Sequence, residues 1–183
     1  MLEAAVVTPV FLVLLLGVIE GGLLFYERLS VANMSLAGAR SASAQGTDIL
    51  ADLQVLRTIG SGASGPNSQI RSVVVYRATS PTDRVPVGCK TASVLNSCNR
   101  YVAADLAKDT TQFGCVGPPG PTTKIDSYWC PNTRKTALSG AQGPPDYIGV
   151  YVEAAHEDMT GIFGRTVTLR TDTIIRMEPR TLT

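Results

Sequence analysis

The stretch of sequence that decides the fold lies at residues 4–26, which read AAVVTPVFLVLLLGVIEGGLLFY. These 23 residues contain one charged side chain, that of Glu20. A helix rises about 1.5 Å per residue, so roughly 20 apolar residues cross a hydrocarbon core about 30 Å thick. We therefore predict a transmembrane segment over residues 1–26. A cleaved signal peptide is the alternative, but no basic residue precedes the apolar run and the first one, Arg28, follows it.

Helical sequence continues beyond the apolar run to Gly46, with small residues between the larger apolar ones. A single rod over residues 2–46 would be on the order of 65 Å long, so its outer part must pack against its own globular domain, partner helices or both. Residues 49–59 predict a second, amphipathic helix, because four apolar side chains share one face: Ile49, Leu53, Leu56 and Ile59. We assign residues 27–59 to the stalk and second helix, and residues 60–183 to a head.

The head combines strand-like and loop-like sequence. Runs rich in β-branched residues predict strands at 70–79, 147–155 and 165–178. Residues 91–110 are the most helical stretch outside the N-terminus, and residues 114–145 are rich in turn-forming residues. We therefore predict an α+β fold, in which a long N-terminal transmembrane and stalk helix backs a small antiparallel sheet of three or four strands.

Four cysteines lie in the middle of the head, namely Cys89, Cys98, Cys115 and Cys130. Their spacing does not match the short paired spacing of structural zinc sites, whereas an even count in loop-rich exported sequence indicates two disulfides. Three connectivities are possible. We favour Cys89–Cys98 and Cys115–Cys130 because each pair brackets a turn-rich segment; reduced structural thiols are the alternative.

The orientation of the anchor is indicated by two conflicting signals. The positive-inside rule places the Arg28 side of the membrane span in the cytoplasm. Disulfides instead place the head outside the cytoplasm. We give the cysteines more weight, and a short basic leader upstream of Met1 would reconcile the two signals.

Composition and motifs exclude several classes of function. A net charge of +1 gives no electrostatic footprint for nucleic acid, and a content of 44% hydrophobic residues is too high for a disordered chain. The only histidine, His156, stands beside Glu157 and Asp158, which we interpret as a polar strand end because three consecutive side chains do not converge on one point. Nucleotide-binding and hydrolase motifs are absent from the sequence. We expect no enzyme, cofactor, metal or nucleic-acid partner.

Carboxylates in apolar surroundings are costly and mark a partner or a function. Glu20 could instead reach interfacial water, and Glu3 lies within reach of an α-amine on its own chain or a neighbouring one. The segment around them resembles the N-terminus of TadE/TadG-like pseudopilins of the tight-adherence (Tad, Flp-type) pilus. The shared features are a glutamate six residues before a proline, then a glycine, an Ile-Glu-Gly step and a Gly-Ala-Arg step: Glu3, Pro9, Gly17, Ile19 to Gly21, and Gly38 to Arg40. The closing strands are also similar, and the cysteine-containing middle resembles actinobacterial-type members.

The resemblance implies a single-pass protein of the cytoplasmic (inner) membrane whose head lies outside the cytoplasm, at the cell surface or in a pilus. It implies packing with other pilin or pseudopilin subunits and the Tad secretion platform through Glu3, Pro9, Glu20 and Gly38, and processing by a prepilin peptidase. Glu3 departs from the family's processing pattern, since it stands third rather than fifth and no glycine precedes it.

The alternative function is a membrane-tethered exported binding or adhesion module that is not incorporated in a pilus. A passive anchor has no use for Glu3, Glu20 or a stripe of small residues that continues outside the bilayer. The composition of the anchor therefore favours the pseudopilin.

Overall fold

The structure is a computed structural model that describes residues 2–63, 68–120, 123–136, 144–158 and 165–178. Helix α1 spans Leu2–Gln45 without interruption and carries Pro9 inside it. Its 44 residues correspond to a length of about 66 Å. The long N-terminal helix that the sequence predicts is therefore present.

Helix α2 spans Ala51–Gly62 and packs against the C-terminal part of α1. Its buried face contains Leu53, Leu56 and Ile59, as the periodicity predicts, whereas Ile49 lies before the helix and is exposed. The two helices form one layer on one side of a sheet.

The sheet has four antiparallel strands: β1 (Ser68–Ala78), β2 (Cys98–Val102), β3 (Tyr147–Glu157) and β4 (Thr166–Arg176). Their spatial order is β2-β1-β3-β4, so β3 lies at the centre beside β1 and β4 forms a long free edge. Three of these strands coincide with the predicted β-branched runs. The α+β class, with a helical stalk and a sheet head, is confirmed.

The prediction of helix within residues 91–110 is wrong. This stretch contains β2, and the short 3-10 turns Ala103–Ala107 and Thr110–Gln112 follow it. The tertiary context overrides the local preference, because the ring of Tyr101 enters the core while residues 98–102 pair with β1. The Cys89–Cys98 disulfide also fixes the beginning of the strand.

Both faces of the sheet are covered. The helices cover the face that carries Val73, Val75, Val150 and Val152. The opposite face carries Tyr76 and Tyr151, and it packs with a smaller apolar group that includes Val85 and the disulfide-bonded Cys89 and Cys98. The second disulfide is Cys115–Cys130, so both favoured pairs are confirmed.

Candidate functional site

The described side chains from Val7 to Ile19 of α1 do not belong to the head's core. From Val7 to Ile19 its apolar side chains are exposed, to 60% for Phe11 and 77% for Val18. By length and composition, this helix could cross a membrane. Exposed apolar surface of this extent indicates contact with lipid, with another protein or with both.

Beyond Ile19, one face of α1 remains apolar and exposed, and the opposite face packs against the head. Phe25, Tyr26 and Leu29 are each at least half exposed, whereas Val31 and Met34 are buried against the head. Tyrosine is enriched where membranes meet water, because its ring is apolar and its hydroxyl is polar. If α1 crosses a membrane, Tyr26 stands at a position suited to the membrane–water boundary.

Glu20 and Glu27 lie on the buried face of α1 and enclose the side chain of His156, at the end of β3. The exposed fractions of the three side chains are only 1–2%. Nδ1 of His156 lies 2.8 Å from Oε2 of Glu27, a hydrogen-bond distance. Nε2 lies 3.4 Å from Oε1 of Glu20, so that contact is mainly electrostatic. We call these three residues the helix–strand cluster.

The helix–strand cluster has the geometry of an ion-paired contact between α1 and β3. The carboxylates approach different nitrogens of the ring and do not converge on a common point. Within the described ranges, no group of three histidine, cysteine or acidic side chains could hold a metal ion.

The sequence did not predict this cluster. The interpretation of His156 as part of a polar strand end is correct for its position, but its side chain is buried rather than solvated. Glu27 was not singled out, although its helical spacing of seven residues from Glu20 places both carboxylates on one face. The sequence did contain a signal for this contact: a lone histidine near the end of a half-apolar strand, and two acids seven residues apart on a helix.

The other predicted packing residues lie at different levels of α1. Glu3 belongs to the helix, but its side chain lies outside the described residues. Pro9 lies in the exposed apolar half. Gly38 lies at the opposite end, where α1 crosses the sheet, and a Cβ there would come within 2.9 Å of Ile59 and 3.2 Å of Val150. Within the chain, Gly38 thus packs α1 against α2 and β3; contacts of these residues with other subunits remain predictions.

A second buried polar network holds the disulfide-bonded loops on α2. Arg134 and Asp52 form an ion pair at 2.6 Å, and both side chains are fully buried. Asp52 also accepts hydrogen bonds from Asn99 at 2.9 Å and from the hydroxyl of Tyr101 at 2.7 Å. Burial and the neighbouring Asp52 raise the pKa of Tyr101 well above its ordinary value. The guanidinium of Arg134 stacks 4.3 Å from the ring centre of Trp129, which closes the network.

In the comparison with known protein families, the part of the chain that matches is most of helix α1. Residues 1–40 match the family model described as TadE-like protein. The similarity of the N-terminal segment to TadE-like proteins is therefore confirmed, and it includes Glu3, Pro9, Glu20 and Gly38. No curated protein and no solved structure matches the chain. The actinobacterial-type assignment remains a prediction.

Proposed function

We propose that the protein is a single-pass membrane protein that takes part in assembling a Tad-type (Flp) pilus as a minor pilin or pseudopilin. The exposed half of α1 lies in the cytoplasmic membrane and packs against helices of other pilin subunits or of the Tad secretion platform. Its role is structural rather than enzymatic. The observation that carries this proposal is an exposed, apolar helix inside the segment that matches TadE-like proteins.

Two glycines on α1 support close packing between helices. No atom outside the local helix lies within 4 Å of a Cβ placed at Gly17 or Gly22, so neither glycine is required by contacts within the chain. Small residues on membrane helices allow neighbouring backbones to approach closely. These positions therefore offer space to a helix of a partner subunit.

The two disulfides support an orientation in which the head lies outside the cytoplasm. Disulfides persist in oxidising compartments and are rare in the cytosol. The pairs Cys89–Cys98 and Cys115–Cys130 both lie in the head, on the opposite side of the proposed membrane span from residue 2.

The proposal is tested by two substitutions on α1 that leave the head untouched. Glu3→Ala removes the carboxylate near the N-terminus, and Gly22→Leu adds a side chain where the isolated chain has open space. Each variant should accumulate in membranes at the wild-type level but lower the yield of sheared pili severalfold. Gly120→Leu is the matched control, because it adds the same side chain to a loop of the head where a Cβ also meets no atom.

Unchanged piliation in both α1 variants would contradict the packing role. Normal pili in a strain that lacks the whole protein would support the tethered binding module instead. Recovery of the wild-type protein from the soluble fraction, without its first two dozen residues, would contradict membrane anchoring itself.

A further inference from the structure

An open groove of about 520 Å³ runs between α1 and the free edge strand β4, beside the helix–strand cluster. Its walls are mainly apolar: Gly21, Leu24 and Phe25 come from α1, and Val167 and Leu169 come from β4. Arg28 also lines the groove, about two turns of α1 beyond Gly21. A Cβ placed at Gly21 would meet no atom within 4 Å outside the local helix, so the groove is open at this position.

The position of Arg28 on α1 places the groove at the depth of lipid headgroups. Glu20 and Glu27 are buried, so Arg28 is the first exposed charge along the described side chains of α1. The exposed face is apolar from Val7 up to that level. Arginines near the ends of membrane helices place the guanidinium at the interface between membrane and water, which is the depth that we assign to Arg28.

Arg28 is also available for a ligand, whereas the other arginine of the groove is not. No described residue forms an ion pair or hydrogen bond with the Arg28 side chain. Nε of Arg170, in contrast, lies 3.0 Å from Oε2 of Glu153. Glu153 alternates with Val152, which faces the helices, so this ion pair lies on the opposite face of the sheet.

From this geometry we propose that the groove binds one anionic phospholipid, an inference that rests on the proposed membrane anchor. The guanidinium of Arg28 contacts the phosphate, and the glycerol and upper acyl chain lie along Gly21, Leu24 and the β4 wall. Guanidinium groups bind phosphate oxygens through charge-assisted hydrogen bonds. Gly21 and Arg28 are about 10 Å apart along the helix axis, which suits this part of a lipid.

The test uses the full chain in nanodiscs that hold one copy each and contain phosphatidylcholine with a minor fraction of phosphatidylglycerol. Native mass spectrometry after gentle release measures the ratio of the two lipids that remain bound. The wild-type chain should retain phosphatidylglycerol in excess of its share in the disc. Arg28→Gln should reduce that excess about fivefold, the effect of one basic residue near an anionic surface.

Two further variants make the result specific to the groove. Gly21→Leu should also reduce the bound lipid, because it fills the groove without changing the charge. Arg170→Gln is the matched control and should retain the wild-type excess, although it removes the same charge from the neighbouring strand.

Any of three other results would contradict the proposed lipid site. It is overturned if Arg28→Gln retains the full excess, if Arg170→Gln loses as much, or if lipid-free dimers form through the groove. Failure of the wild-type chain to enter nanodiscs would overturn both the anchor and the lipid site. Normal entry without an excess of phosphatidylglycerol would overturn the lipid site alone.

Discussion

At the scale of single residues, the helix–strand cluster joins two parts of the chain that are far apart in sequence. Glu27 and His156 are separated by 129 residues, yet their side chains are in hydrogen-bond contact inside the molecule. Ionisable groups near a membrane are costly unless they pair with one another. In the membrane anchor that we propose, burial of both carboxylates against one imidazole would let α1 carry two acids close to lipid.

Removal of the imidazole should destabilise the head strongly. His156→Ala removes the imidazole that both buried carboxylates contact, and breaking a buried pair in this way costs about 3–5 kcal/mol. Arg170→Ala is the control, because Arg170 is exposed and an ion pair at an exposed arginine contributes little to stability. Chemical denaturation in detergent, followed by the fluorescence of Trp129, measures both changes. Equal stability of the two variants would contradict the role assigned to the cluster.

Tyr101 should make the head sensitive to alkali. Burial, followed by the negative charge of Asp52, raises the pKa of Tyr101 in the folded state well above its ordinary value near 10. The folded state therefore holds the phenolic proton more tightly than the unfolded state. The resulting stability is fully present below about pH 10 and is lost as the pH rises above that value.

Tyr101→Phe should reduce the sensitivity of the head's stability to alkali. At neutral pH it should cost about 1–3 kcal/mol, because Asp52 loses a buried hydrogen-bond donor. Above about pH 10 the free energy of unfolding of the variant should fall less steeply than that of the wild type. Denaturant titrations at several alkaline pH values measure the slope. Parallel curves for the two proteins would contradict this assignment.

Residue identities could be predicted where local sequence carried the signal. The pairs Cys89–Cys98 and Cys115–Cys130 were favoured correctly, because each closes a short turn-rich segment. The partner of Glu20 could not be predicted, because it depends on the relative placement of α1 and β3. A helix period locates a buried face, but it does not identify the strand that covers that face.

At the scale of elements, Gly38 determines how closely α1 approaches the rest of the head. Gly38→Leu should destabilise the head by about 1–3 kcal/mol, because the new side chain meets Ile59 and Val150 in a filled core. Gly22→Leu is the matched control and should leave the stability of the head unchanged or slightly raised, since leucine favours helix over glycine. Thermal unfolding of both variants in detergent provides the measurement. A neutral effect of Gly38→Leu would show that the contact between α1 and the sheet can adjust.

Some strands of the sheet can be predicted from local sequence, and one cannot. Strands β1, β3 and β4 are long and rich in β-branched residues, so each can be predicted from its own local sequence. Strand β2 has only five residues and follows a disulfide-bonded loop. Its identity depends on its pairing with β1, which no local pattern contains.

At the scale of the whole molecule, α1 is both the proposed anchor and part of the head's core. The change of role lies near Glu20, because the side chains before it are exposed and several after it are buried. The helical residues from Leu2 to Ile19 rise about 27 Å, close to the thickness of a hydrocarbon core of about 30 Å. If α1 is the membrane anchor that we propose, the continuous helix holds the head at the membrane surface without a flexible linker.

This division predicts where the chain can be shortened. A chain of residues 20–183 should be soluble and folded, because it keeps Glu20, Glu27 and the other buried residues of α1. A chain of residues 29–183 should be less stable by about 3 kcal/mol or more, because His156 loses both carboxylates and the core is uncovered beside Leu24. Circular dichroism and thermal unfolding without detergent compare the two chains. Aggregation of the longer chain, or equal stability of both, would mean that the core does not extend along α1 to Glu20.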